Sequence, residues 1–362
     1  MGLGLLQHRD VEPHEDYGFF GPDSVTWKVW TYPTSVTVGF QRSVVIEELD
    51  PALIAAVDAT SDVRYRPRTR YDRTLRYFAM VSLGDTRSAI SASNVLVKVH
   101  AKAVGTEPLS GNRYDANDPH SQLWIHLTAW HSILYAYEKY GPGKLTPEEE
   151  AEYWEQCAVA AELQTCDPAD VPRSRDGIRE YFAAMRPKLA GSEAAQSMMD
   201  HLLNAEVMLP PMPAILRPAV WVNNQILRAA TIATMPRWMR KMGGLRQPAW
   251  VDALVTPVMK LSFRVTAANP RLMLVLLRVL SPGTVPIAAP VLLGVAPHNK
   301  VTLTPAQARE RYGVLPPAEA YARFRERVEA LRTAKDGGDA PPTAELVGPG
   351  IEESLAILGP VS

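Results

Sequence analysis

Residues Pro67–His100 read PRTRYDRTLRYFAMVSLGDTRSAISASNVLVKVH, and their pattern decides the fold class. Pro67 suits a first helical position, where its missing N–H costs nothing, so a helix is predicted from Pro67 to about Leu83, ahead of Gly84. Asp85 or Thr86 caps a second helix, predicted to end just before Gly105 with His100 well inside it. Six arginines fall between Arg64 and Arg76. Helical spacing groups Arg66, Arg70, Arg73 and Tyr77 on one face with Thr74 on its shoulder, while Leu75, Phe78, Ala79 and Val81 turn toward a core. On the second helix His100 shares a face with Ser93, Leu96, Ala103 and Val104, and Ala89 and Ala92 lie further up the same side.

A face so rich in guanidinium must be solvated or must meet anions. Arginine binds carboxylates bidentately and keeps its charge when half-buried. Small residues let a flat ligand approach His100 closely, and Leu96 would grip it. An imidazole beside such a slot, with arginines on the next helix, matches what an iron porphyrin requires: one axial nitrogen and cations for two propionates. A solvated basic face, a phosphate site and a satisfied core histidine stand beside this reading. His126 lies with Leu123, Trp130 and Ile133 on an apolar helical face, where it suits a pocket wall, a distal group or a core position. His131 is five residues on, about 140° around the axis, so the two cannot share one metal.

Outward from this stretch the chain reads as all-α. Further helices are predicted over Ser35–Leu49, Pro51–Ala59, from Asp118-Pro119 to Gly141, and from Thr146-Pro147 onward, where acids complement the helix dipole. Ser24–Trp30 is the one plausible extended piece. Helical segments between Leu209 and Pro282 are expected to break at Pro210-Pro211, Pro236, Pro248 and Pro257. The domain reading is a single helical unit over residues 15–330, followed by a mostly flexible tail, 331–362.

Composition bounds the function. The 362 residues carry 46% hydrophobic side chains and a formal net charge of -1, which argues against a nucleic-acid-coating protein. Two cysteines are too few for a disulfide scaffold, and no C-x-x-C-H attaches a haem covalently. No H-E-x-x-H, Glu-x-x-His pair, G-x-G-x-x-G after a strand, P-loop or G-x-S-x-G elbow occurs. No secretory signal is read at the N-terminus, which predicts the cytoplasm, with peripheral membrane contact. Leu272–Leu280 and Val285–Ala296 approach membrane hydrophobicity but are interrupted by Arg278, Pro286 and Pro290.

Several landmarks occur in order: Gly21-Pro22-Asp23-Ser24-Val25-Thr26-Trp27, Arg70-x-x-Arg73-Thr74, His100-x-x-x-x-Gly105, Tyr114-x-Ala116-x-Asp118-Pro119 and Trp124-Ile125-His126. Pro236-Arg237-Trp238-Met239-Arg240 follows as a weaker echo. By these the chain resembles the haem-dependent oxygenases typified by the ER-bound oxygenase of mycophenolic acid biosynthesis and by rubber oxygenase. The resemblance implies a globin-like helical core with additional helices and one haem b. It implies His100 as the proximal iron ligand, with Arg70, Arg73, Thr74, Tyr77, Leu96 and His126 around the cofactor, and Arg70, Arg73 and Thr74 in catalysis. Arg73 falls where the rubber enzyme has a lysine, and Glu47 and Glu48 are the two candidates for that enzyme's pocket glutamate. The expected activity is an oxygenase using O2 on an apolar, isoprenoid-like or aromatic substrate, with oxidative C=C cleavage as one outcome. An electron donor and no obligatory protein partner are expected. The rival readings are a non-catalytic haem carrier or sensor, and a peripheral membrane protein without cofactor.

Overall fold

The computed structural model describes residues 8–60 and 62–336, so the predicted tail lies almost wholly outside the described residues. The fold is essentially all-α: seventeen α-helices and one two-stranded antiparallel hairpin, Val104–Thr106 with Arg113–Asp115, among the described residues. Helix Pro119–Tyr140 is the spine. It buries fourteen of its 22 residues and packs against Ser35–Gly39, Phe40–Glu47, Pro147–Ala161 and Ala249–Ala267. A helix apolar on most sides belongs in the middle of a bundle.

Ser35–Gly39 forms a wide π-turn leading into helix Phe40–Glu47. A Cβ on Gly39 would meet Ile133 Cδ1 at 3.0 Å, so glycine lets the turn rest on the spine. Fully buried Arg42 ties the layers together. It donates to Ser132 Oγ at 2.5 Å and to the Thr234 carbonyl at 3.4 Å, and lies over the Tyr135 ring. Burial lowers its pKa to about 10, which leaves it cationic at neutral pH. The aromatic heart is Trp130, whose ring meets Trp30 at 5.3 Å, Tyr153 at 5.1 Å and Phe20 at 6.2 Å.

Three local expectations need correcting. The stretch expected to be extended, Ser24–Trp30, contains helix Val25–Trp30. Ser24 Oγ caps it by accepting from the Trp27 N–H, and Glu152 and Gln156 accept from the Val25 and Thr26 amides. Six apolar-rich residues do not separate strand from helix, and the capping partners lie far away in sequence. Pro257 does not break helix Ala249–Ala267; both Pro257 and Ala253, whose carbonyl loses its partner, face solvent. The histidine helix is Thr86–His100, so His100 is its last residue and Val104 belongs to the hairpin. No helix among the described residues is long and apolar enough to cross a membrane.

Candidate functional site

The end of the histidine helix is built by residues around it. Asn117 Nδ2 donates to the Val97 carbonyl at 2.8 Å, which also accepts from the Ala101 N–H at 2.9 Å, so the last turn of the helix is tied to the chain that follows. The chain then turns, and the Ala116 N–H reaches the Ala103 carbonyl at 3.0 Å. Gly105 pairs with Tyr114, and a Cβ at Gly105 would lie 2.5 Å from the Tyr114 hydroxyl oxygen, so the hairpin needs glycine there. Asp118 caps the spine by accepting from the His120 and Ser121 amides. That start places Gln122 against the imidazole: its Nε2 lies 3.0 Å from His100 Nδ1 and also donates to the Ala116 carbonyl. The motif residues at 105, 114, 116 and 118 thus position one histidine.

Burial pushes His100 down to about 4, and the Arg70 charge pushes the same way; Asp115 and the Ala116 carbonyl oppose them. The ring is neutral at neutral pH, and its Nδ1 accepts from Gln122. Asp115 is itself held twice, accepting from the Asn117 N–H at 2.8 Å and from the Tyr321 hydroxyl.

Arg70 is half-buried and enters no ion pair among the described residues. Its charge acts on His100, Glu47 and Glu48 together, which puts imidazole, guanidinium and two adjoining carboxyls in one electrostatic neighbourhood. Burial raises Glu47 to about 7, opposed by a hydrogen bond from Ser43 and by Arg70. Glu48 rises to about 8, again by burial first, and its Oε2 is buried without a partner. The other expected site residues scatter. Arg73 is exposed, Thr74 half-buried, and Leu96 half-buried against the core. The Tyr77 hydroxyl donates to the Leu163 carbonyl at 3.4 Å, which Ser93 also reaches at 2.7 Å. His126 is fully buried; its Nε2 donates to the Cys157 carbonyl at 2.7 Å, and its Nδ1 accepts from Gln164 at 2.9 Å. Both its nitrogens are engaged within the core.

Gln122 escaped the sequence reading. Its signal was a polar side chain four residues before His126, on the same apolar face of the spine. Tyr321 gave no signal at all.

The two buried carboxyls set a pH dependence. A carboxyl whose folded pKa is raised contributes stability below its unfolded value of about 4.5 and loses it as pH climbs through the folded value. Stability is therefore expected to fall between about pH 4.5 and about 8 by a component that Glu47→Gln/Glu48→Gln removes. Urea unfolding of both proteins across that range reads the difference, in which the opposing histidine contribution cancels. Parallel stability curves would count against the buried pair.

No group of three or more His, Cys, Asp or Glu among the described residues could hold a metal ion. A metal at His100 must therefore bring its remaining donors with it, as in a macrocycle. A neutral imidazole held at Nδ1 and an arginine without an ion pair fit an iron porphyrin with acidic side arms. A narrow apolar void lies near the far side of the arginine helix, between Trp30, Leu75, Ala79, Met273, Leu277 and Ala288. Comparison with known proteins gives one family match: a family model described as ER-bound oxygenase mpaB/B'/Rubber oxygenase, catalytic domain, matches residues 27–268. No curated protein and no solved structure matches.

Proposed function

Because this chain belongs to the ER-bound oxygenase mpaB/B'/rubber oxygenase catalytic-domain family, and is by that membership an oxidoreductase of the oxygenase class, we propose that it is a haem b-dependent oxygenase acting with O2 on an apolar, isoprenoid-like or aromatic substrate, with oxidative C=C cleavage as its reaction. The observation that carries the cofactor assignment is His100: neutral, held by Gln122 at Nδ1 and with no side-chain partner at Nε2 among the described residues. Haem bound there would supply the means of binding and activating O2.

The chain's own residues have definable tasks. Gln122 Nε2 donates to His100 Nδ1 and to the Ala116 carbonyl and so fixes the plane of the ring, leaving Nε2 as the nitrogen at which iron would take the place of the proton. Arg70 would neutralise a propionate, and its charge adds to burial in keeping His100 unprotonated. Arg73, on the exposed side, would answer the second propionate.

The test is the visible spectrum of the purified full chain, oxidised and dithionite-reduced, with iron per chain, followed by O2 uptake on adding squalene, β-carotene or an aromatic substrate. A Soret band with near-stoichiometric iron and substrate-dependent O2 uptake is expected. A haem-loaded chain that consumes no O2 with any of them would instead be a carrier or sensor, and a chain that takes up no haem would end both readings.

A further inference from the structure

Helix Ala249–Ala267 is apolar on two sides, and only one of them is covered. Val255, Met259 and Phe263 are buried against the spine and helix Arg217–Thr234. Trp250, Leu254, Val258, Leu261 and Val265 point the other way, each between 46% and 67% exposed. At 3.6 residues per turn these five fall within an arc of about 80° and run for roughly 22 Å along the axis. Contiguous apolar surface of this kind marks an interaction face, whereas scattered exposed leucines do not. Further bulky apolar side chains are bare nearby in sequence, Ile215 at 87% and Trp221 at 58% exposed.

Charge identifies the occupant. Between Leu209 and Pro282 the chain carries ten Lys or Arg against one acid, Asp252, although the whole protein has a net charge of -1. Asp252 is already paired with Arg240 at 2.8 Å. Lys260 and Arg264 border the stripe on its own helix, and Arg246 and Arg271 stand beyond its two ends; all four are exposed and enter no ion pair among the described residues. A second copy of this chain would bring the same cations against themselves in a twofold interface. An anionic lipid surface offers both what the cations and what the leucines need. Trp250 sits near the helix start, and tryptophan favours the headgroup level.

We propose that this face docks the protein on the surface of an anionic bilayer, with helix Ala249–Ala267 lying in the interface plane. Docking here depends on no cofactor and on no assignment at His100.

The full chain is mixed with vesicles of phosphatidylcholine alone or with phosphatidylglycerol added, and the fraction that sediments with lipid is measured. Wild type is expected to bind the anionic vesicles, to bind the neutral ones weakly, and to be released progressively by salt. Leu254→Glu/Leu261→Glu should lower the partition constant about tenfold or more, and Lys260→Glu/Arg264→Glu should remove the preference for phosphatidylglycerol. Circular dichroism verifies that both variants remain helical. Wild type left in the supernatant with anionic vesicles would overturn the proposal, as would variants that bind like wild type. A wild-type dimer in sedimentation velocity that the leucine variant converts to monomer, without any lipid binding, would assign the face to self-association and likewise overturn it.

Discussion

Replacing His100 with alanine is expected to abolish stoichiometric haem binding while leaving the helical fold in place. The side chain ends its helix, so truncation removes an imidazole without opening the middle of a packed layer. The surrounding brace survives: Asn117 still caps Val97, and Gln122 still reaches the Ala116 carbonyl. The Soret band and bound iron should fall to background, and added free imidazole should restore a large part of the band by occupying the vacated space. Gln122→Leu should give an intermediate result, because removing an outer partner of a metal-binding histidine costs about 10–100-fold in affinity. A Soret band of full intensity in His100→Ala, without imidazole, would sink the ligand assignment. Retention of fold, read by far-ultraviolet circular dichroism, separates loss of the ligand from loss of the protein.

The largest loss of stability is expected from Trp130→Ala. Trp130 is 1% exposed and lies where the spine meets Trp30, Phe20 and Tyr153. The Tyr153 hydroxyl donates to its carbonyl at 2.8 Å, so the backbone there cannot shift freely to fill a void. Removing a buried indole costs about 3–5 kcal/mol, part from lost burial and part from the cavity left behind. Urea unfolding should therefore show a much lower midpoint at an unchanged slope. A loss below about 1 kcal/mol would mean that the neighbouring rings collapse into the space, contrary to the close packing expected of a protein core. Because the same helix carries Gln122, reduced haem affinity should accompany the reduced stability.

What could be read in advance follows the range of the signal. Helix starts governed by local chemistry were legible: Pro67 opens helix Pro67–Leu83, Asp118 caps the spine, and Thr146 with Glu149 forms a capping box. The link between His100 and Arg70 was also legible, because two adjacent helices joined by a short turn must pack together. Features set by distant partners were hidden. Asn117 ties the last turn of the histidine helix through the Val97 carbonyl, Ala116 holds the turn that follows through the Ala103 carbonyl, and a helical pattern through Val104 carries no trace of either. The arginine face divides by depth, with Arg70 half-buried and Arg73 exposed, although the two share one side by spacing alone. Exposure depends on what packs above, which periodicity does not encode. His126 stood between a pocket wall, a distal group and a core position, because apolar spacing cannot reveal that the Cys157 carbonyl and Gln164 occupy its two nitrogens.

The hydroxyl of Tyr321 reaches Asp115 from helix Pro317–Asp336, well past the last residue of the stretch shared with the family. That helix and helix Pro305–Tyr312 both lie against the histidine helix. Trimming the chain to the shared portion would therefore bare one flank of the helix that ends in the imidazole and cut one of the two ties on the loop beside it. The length beyond the shared portion thus belongs to the architecture around the helix that ends in His100.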